Sequence, residues 1–564
     1  MLEKLIEVAL KRRLLVLIVL ALVVAWGVRA TMSLRIDALP DLTNNQVQVL
    51  TEARGLAPTE VEQLVTFPIE VTMQGLPGVD EIRSVSKFAL SVVTIVFKDD
   101  VDPYFARQQV FERLQQAKER LPKGIAEPAL APLTSGMGDI YMYTLEGPGM
   151  HDAMELRTLQ DWVIKPQLRT VPGVAEINSF GGLVKQVQVL IDPQKLAARD
   201  MTFHQVMESL AETSTIAGGN FIVHQDEQYI VRGLGLAESL EDVRDTIIAT
   251  HDGVPVYVKD IGTVELGPEV RQGAVTARGQ GEVVSGIVVM LRGENSRAVI
   301  ERVKEKVAEI NKSLPEGVTI KSYYDQTELV ENTIKTVETN LLEGGLLVIV
   351  ILFVFLRNVK AALLVAATIP LSMLFAFIGM QYFGLSANLM SLGAIDFGLI
   401  VDGSVVMVEN ALRRMGLPES QGKSRFEIIK ESAREVGKPI FFGVLIIILV
   451  YLPILTLEGM EGKMFAPMAL TVGFALVGSL LLALTVVPVV ATWVLPKHPV
   501  EHHEPVMDRL RAFYERTLRQ VLRFKPLTVG AAVVAFVSSL AIVPFLGSEF
   551  LPELDEGSIL VQSI

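Results

Sequence analysis

Seven stretches of this chain are apolar over lengths that match hydrocarbon, and between the first and second lie about 310 residues of ordinary globular composition. A bilayer core about 30 Å thick is crossed by roughly 20 helical residues, because only a helix satisfies its own backbone groups where water is absent. The runs fall near 14–30, 341–356, 361–383, 387–411, 439–457, 464–495 and 527–547. Half the residues are hydrophobic, and the mean hydropathy is +0.41, above the soluble norm. The first run does not read as a cleaved signal. Lys11, Arg12 and Arg13 precede it, no small-residue cleavage site follows, and the chain continues into LRIDALPDL.

Basic residues in the short connections set the orientation. Arg357 and Lys360 follow the second run, and Arg413, Arg414, Lys423, Arg425, Lys430, Arg434 and Lys438 follow the fourth. Those loops are cytoplasmic by the positive-inside rule. The uncharged turn at 379–386 and the acidic one at 458–463 then face outward. In the stretch 502–525, five arginines alternate with Leu510, Phe513, Tyr514, Leu518, Val521 and Leu522, which predicts a basic amphipathic helix on the cytoplasmic face.

The long segment 31–340 is large enough for several small domains. Over 46–145 the order reads β-α-β-β-α-β, with IYMYTL as the last strand, the pattern of a ferredoxin-like split unit. A second copy is expected over about 150–325, because Pro77-Gly78-Val79 recurs as Pro172-Gly173-Val174 about 95 residues later. A strand-rich insert is expected near 218–265. The fold class is therefore a polytopic α-helical membrane protein with a large extracytoplasmic α/β domain built of ferredoxin-like subdomains. A longer repeat pairs Leu39-Pro40-Asp41-Leu42 with Leu551-Pro552-Glu553-Leu554, each just beyond a span. The span at 527–547, entered from the connector 496–526, thus begins a second copy of the whole plan in 548–564. A protein of two such halves would have about 1,030 residues, and the chain reads as a half-length product.

The fourth apolar run, SLGAIDFGLIVDGSVVMVENALRR, holds three acids: Asp396, Asp402 and Glu409. Ionisable groups at that depth cost several kcal/mol unless paired, hydrated or protonated, so their default reading is functional. On one continuous helix Asp402 and Glu409 lie within ~20° of one face, and Asp396 ~120° from Asp402. Burial and like charge raise carboxylate pKa values, which suits groups that take up and release protons. A proton moving inward delivers about 2.3 kcal/mol per 100 mV, enough to drive uphill export.

The motifs DFGLIVDGSVVMVEN, DPYFARQQVFERLQ, DWVIKPQLR, GENSRAVIE, SANLMSLGA and LTLEGMEGKMFAPMA resemble, along the whole chain, the heavy-metal branch of the resistance-nodulation-division efflux pumps, the cobalt-zinc-cadmium exporters in particular. The resemblance implies a bacterial inner-membrane proton/metal antiporter, not an enzyme, with a large periplasmic domain. It implies a homotrimer working with a periplasmic membrane-fusion adaptor and an outer-membrane channel. It calls for no cofactor: a divalent metal ion is the cargo and the proton-motive force the energy source. It carries the family's proton-relay acids onto Asp396, Asp402 and Glu409, and a periplasmic metal ligand onto Asp139, where Glu is more usual. The copper/silver branch looks to lack the acid at the Asp396 position, which favours divalent ions. The resemblance also places part of the proton path and most periplasmic ligands in a second half. A separately encoded half would supply them, and a non-transporting or assembly role is the alternative without one. Export of amphiphilic drugs is a further alternative, against which stands an aromatic content of 7%.

Other signals point to less. The net charge of −13 disfavours a nucleic-acid surface, and the absence of Cys removes disulfides and thiolate sites. No P-loop signature is present, so nucleotide hydrolysis is not the expected energy source. His498, His502 and His503 lie in a Pro-containing connector, and Met460, Met464 and Met468 read as a packing stripe before a soft-metal site.

Overall fold

The computed structural model describes residues 2–547 apart from 38–39, 123–125, 148–151, 214–216, 226, 234, 252, 272, 280, 357, 421 and 497–504. The second LPxL motif and His498, His502 and His503 therefore lie outside the described residues. The chain divides into two compact units, Met1–Pro40 with Leu329–Ile564, and Asp41–Glu328.

The first unit opens with two helices, α1 (Leu2–Lys11) and α2 (Arg13–Ser33). α2 is apolar all round, as a lipid-facing span must be, and buries only Gly27 and Ala30. Beyond α2, residues 35–37 are tied to Ala387 of the same unit by a parallel bridge.

The second unit contains two four-stranded antiparallel sheets. The first is built from β1 (Asn45–Ala53), β2 (Val79–Lys87), β3 (Leu90–Phe97) and β4 (Ala126–Leu130), in the order β2-β3-β1-β4. The helical stretch 58–73 and α3 (Pro103–Lys118) cover one face, packing Val61, Val65, Ile69, Val110 and Leu114 onto Val49, Val93 and Ile95. The second sheet comprises β5 (Thr134–Glu146), β6 (Val174–Phe180), β13 (Val284–Leu291) and β14 (Thr319–Asp325), in the order β14-β5-β13-β6. Its face is covered by the stretch 153–169 and α4 (Ser296–Asn311). Both sheets thus share one β-α-β-β-α-β order with the same strand arrangement. Between β6 and β13 run β7 (Lys185–Ile191), β8 (Ala217–His224), β9 (Glu227–Gly233), β10 (Ile247–His251), β11 (Val254–Tyr257) and β12 (Gly262–Pro268), paired two by two as β7-β12, β8-β9 and β10-β11.

Two sequence expectations change. IYMYTL is not the last strand of the first copy but part of β5, which opens the second; the short AEPAL of β4 closes the first. Pro128 can sit there because β4 is an edge strand, where a missing N–H breaks no ladder. The insert is also wider than 218–265, running from β7 to β12. The repeated Pro-Gly-Val has a steric cause. Gly78 and Gly173 adopt φ of +76° and +94°, and a Cβ on either would lie 2.6 Å from a valine methyl, on Val101 and Val299 respectively.

Back in the first unit come α5 (Gln326–Leu356), α6 (Val359–Ala366), α7 (Thr368–Tyr382), α8 (Leu389–Gly393), α9 (Phe397–Gly416), α10 (Arg425–Tyr451), α11 (Gly459–Leu484) and α12 (Val486–Val494). They are followed by α13 (Pro505–Arg523) and α14 (Lys525–Ile542). Among the described residues, seven helical segments, at 13–33, 326–354, 359–382, 390–416, 425–456, 459–484 and 525–545, are long and apolar enough to cross a membrane. The expected span 464–495 is broken at Thr485 into α11 and α12.

The close approach of α7 and α11 rests on a reciprocal fit. A Cβ on Gly379 would lie 2.5 Å from the ring of Phe474, and a Cβ on Gly478 would lie 2.8 Å from Phe375. Each ring fills the hollow above the other helix's glycine, the small-residue packing that replaces hydrophobic drive inside lipid. α1 docks on α10 in a similar way, with Ile6 Cδ1 2.9 Å from where a Cβ of Gly437 would sit. Charge completes that contact: Glu7 accepts from Lys430 Nζ at 2.9 Å and from Arg434 Nη2 at 3.1 Å, and pairs with Lys11. Its carboxyl is held down to about 2 from an ordinary 4.5, chiefly by the hydrogen bonds from Lys430 and Lys11.

Two outcomes follow from this packing. Gly379→Ala or Gly478→Ala should destabilise the bundle by about 1–3 kcal/mol in mixed-micelle denaturation, whereas Gly473→Ala on the same helix α11, with open space around it, should not. Because the folded pKa of Glu7 lies below its unfolded value, the α1 clamp is complete above about pH 4.5 and weakens as pH falls towards 2. Hydrogen exchange of α1 amides should rise over that window, and Glu7→Gln should show the raised exchange already at pH 7.

Candidate functional site

α8 starts at a capping box, with Asn388 accepting from the Ser391 N–H at 2.8 Å and Ser391 Oγ accepting from the Asn388 N–H at 3.0 Å. The helix stops after Gly393, and three residues separate it from the start of α9 at Phe397. Asp396 is the N-cap of α9, its Oδ1 accepting from the Gly398 N–H at 2.8 Å. The fourth apolar run is therefore not one helix through 387–411, and the angular offset of ~120° for Asp396 does not apply. Its carboxylate sits where the exposed N–H groups and the positive end of the helix stabilise an anion.

Asp402 and Glu409 lie within α9, and both are exposed. The opposite side of the helix is packed: Ile400, Val401, Gly403, Ser404, Met407, Val408 and Ala411 are buried. Gly403 admits Ile440 of α10, whose Cγ2 lies 3.0 Å from where a Cβ would be. Gly398, Asp402, Glu409 and Arg413 form one uncovered stripe along α9. No hydrogen bond or ion pair joins Asp402 or Glu409 to another described residue.

Arg413 and Arg414, in the last turn of α9, engage other acids. Arg414 Nε binds Glu435 at 2.7 Å and its Nη1 binds Glu431 at 2.9 Å, while Arg413 Nη2 binds Glu435 at 3.2 Å and Asn410 Oδ1 at 2.8 Å. Asn410 also donates to Ser432 Oγ at 3.0 Å and to Glu435 at 3.1 Å. These contacts fix the C-terminal end of α9 on α10 and leave Glu409 outside the network.

Three buried polar residues beside the site were not singled out from sequence. Asn410 is the one just described. Ser479 Oγ on α11 donates to the carbonyl of Ile400, the group that Ser404, one turn further on, would use. The Ser404 hydroxyl is buried and has no hydrogen-bond partner among the described residues. Small hydroxyls at helix contacts within apolar runs are the signal that marks them.

Asp139 is placed elsewhere, on β5 opposite Val289 of β13. Its side chain is exposed, yet neighbouring atoms desolvate the carboxyl enough to raise its pKa. Among the described residues no group of three or more His, Asp or Glu could hold a metal ion, so Asp139 belongs to no such group. The methionine stripe divides: Met464 is buried and Met460 exposed.

The model of the AcrB/AcrD/AcrF family matches residues 5–563. The chain belongs to the AcrB/AcrD/AcrF family. Among curated relatives it is 47% identical to the cation efflux system protein CzcA of Alcaligenes sp. (strain CT14), over all of this chain and 54% of that protein. It is 39% identical to the cation efflux system protein CusA of Escherichia coli (strain K12), over 99% of this chain and 54% of that one. A crystal structure of a heavy metal efflux pump superposes with a TM-score of 0.86 at 39% identity, covering 98% of this chain and 53% of the other. The chain spans about half the length of the relatives it matches. The chain is similar throughout its length to heavy-metal efflux proteins of this family, and its described residues include seven helices long and apolar enough to cross a membrane.

Asn caps a helix as well as Asp, whereas Ala costs about 1 kcal/mol. Asp396→Asn should therefore keep the stability of the bundle, and Asp396→Ala should lower it by about that amount in the same mixed-micelle denaturation.

Proposed function

We propose that this chain supplies one half of an inner-membrane, proton-driven exporter of divalent heavy-metal cations, with Asp396, Asp402 and Glu409 as its proton relay. The observation that carries the reading is the stripe of α9: two carboxylates in an apolar run, unpaired, on the side the rest of the chain leaves open. A carboxylate there must be protonated, hydrated or matched by a cation whenever lipid or apolar protein closes over it. Proton uptake from one side and release to the other would then be coupled to closure of that face against a complementary helix. Asp396 would act at the outer end, its negative charge favoured by the helix terminus, with Asp402 and Glu409 placed successively deeper towards the cytoplasm.

The 41–328 unit would be periplasmic, since the cytoplasmic connections carry the Arg and Lys excess. Its two sheets are assigned to the ferredoxin-like class on their shared strand order. Asp139 would offer a carboxylate to a borderline divalent ion, with further ligands from outside this chain. The higher identity to CzcA than to CusA and the acid at position 396 favour divalent over monovalent cargo. A homotrimer, a periplasmic adaptor and an outer-membrane channel complete the proposed assembly.

The test is metal-driven proton flux in proteoliposomes holding this chain and a complementary half. Zinc or cobalt added against an imposed pH gradient should release protons, and Asp402→Asn should lower that flux about 100-fold, the scale expected when a proton-transfer group is lost. Flux unchanged by Asp402→Asn would remove the carboxylate relay; flux with silver or copper(I) alone would replace the divalent assignment.

A further inference from the structure

Two helices of the first unit, α1 and α13, are strongly amphipathic, and the structure treats them differently. α1 turns its apolar side into protein: Ile6 and Leu10 are each 1% exposed, packed against α10 and α12. Among the described residues, α13 covers no other element and every residue of it from 509 to 523 is exposed. Phe513 is 65% exposed, Tyr514 63% and Leu510 56%, and no described residue of α14, which follows it directly, is buried.

On an ideal helix of 3.6 residues per turn, Leu510, Phe513, Tyr514, Leu518, Val521 and Leu522 occupy one half of the circumference of α13. Arg509, Arg516 and Arg523 recur every seven residues near the middle of the other half. They form a straight basic rail, and none of the three has an ion pair to a described residue. Arg519 sits to one side and is engaged by Glu515 at 2.6 Å. Five arginines stand against Asp508 and Glu515 in this helix. Its position along the membrane normal is also constrained, because Phe524 alone separates α13 from α14, an apolar helix that continues towards Phe545.

We infer that α13, the basic amphipathic helix expected at the cytoplasmic face, recognises anionic phospholipid headgroups of that leaflet through Arg509, Arg516 and Arg523. The apolar half seats at the boundary between headgroups and acyl chains, the mode of in-plane helices. The arginines then stand at headgroup level, where each guanidinium can grip phosphate oxygens through two N–H donors. A zwitterionic surface offers the same apolar boundary without the net negative potential, so the rail makes the docking selective for anionic lipid. The inference concerns how α14 is held at the membrane and holds whether or not the α9 carboxylates relay protons.

The natural chain has no Cys, so a single introduced thiol reports one site. Leu518→Cys on the apolar half and Ala512→Cys on the polar half, each labelled with an environment-sensitive fluorophore, are compared in the full chain. The vesicles are phosphatidylcholine alone or phosphatidylcholine with phosphatidylglycerol, and neutral acrylamide is the quencher. Phosphatidylglycerol should lower quenching at Leu518→Cys at least about three-fold, 1 M salt should reverse this, and Ala512→Cys should stay accessible. Each arginine near an anionic surface multiplies the docked-to-free ratio about five-fold. The triple variant Arg509→Gln, Arg516→Gln, Arg523→Gln should therefore lose a factor of about 100 in that ratio and with it the response to phosphatidylglycerol.

Equal quenching at Leu518→Cys in both vesicle types would overturn the proposal. Protection already complete in lipid-free detergent would overturn it in favour of cover by protein. Protection that grows with the protein-to-lipid ratio would overturn it in favour of a second copy of this chain.

Discussion

The cost of taking charge out of water governs how the membrane unit is built. α9 carries two carboxylates through an apolar run, and it can do so because its other side is packed tightly enough to hold it in place without them. Gly403 brings α10 close, Ser479 ties α11 to the Ile400 carbonyl, and Arg413 and Arg414 pin the C-terminal end of α9 to Glu431 and Glu435. Those arginines are the nearest cations along the helix. Their engagement by α10 keeps them from neutralising Glu409, so the acidic stripe stays chemically available.

The same economy appears where α1, α9 and α10 meet. Bases on α10 are matched by acids on α1 and α9's arginines by acids on α10, so the loops that satisfy the positive-inside rule are also interhelical clamps. Individual exposed pairs contribute little. Glu7 differs in meeting three cations at once, and its strongly lowered pKa records that convergence. Among the described residues, Arg509, Arg516 and Arg523 of α13 meet no such acids, and this difference from α1 is what the lipid-docking proposal rests on.

In the 41–328 unit, one topology is used twice, and the insert between β6 and β13 is accommodated where two adjacent strand ends need only be reconnected. Glycines with positive φ before the second strand of each copy let the chain turn under a valine side chain, a fit that any Cβ would obstruct.

The sequence by itself marked the helices suited to spanning, the direction proposed for them, the presence of a duplicated α/β region and the identity of the acidic stripe. Each of these is written in local patterns: apolar run length, Lys and Arg counts, and carboxylates where hydrocarbon is expected. Asp402 and Glu409 share a face because seven residues return a helix almost to its starting angle, which needs no tertiary information. The break before Asp396 was not legible, since Asp in an apolar run scores the same whether it lies within a helix or caps one. The assignment of IYMYTL to the second sheet required knowing its pairing with β13 and β14, which lie more than 130 residues away. Only the tertiary structure decided which carboxylates are tied up and which are free, and which amphipathic helix is covered. Those outcomes depend on partners brought together from distant parts of the chain, and no periodicity within a segment records them.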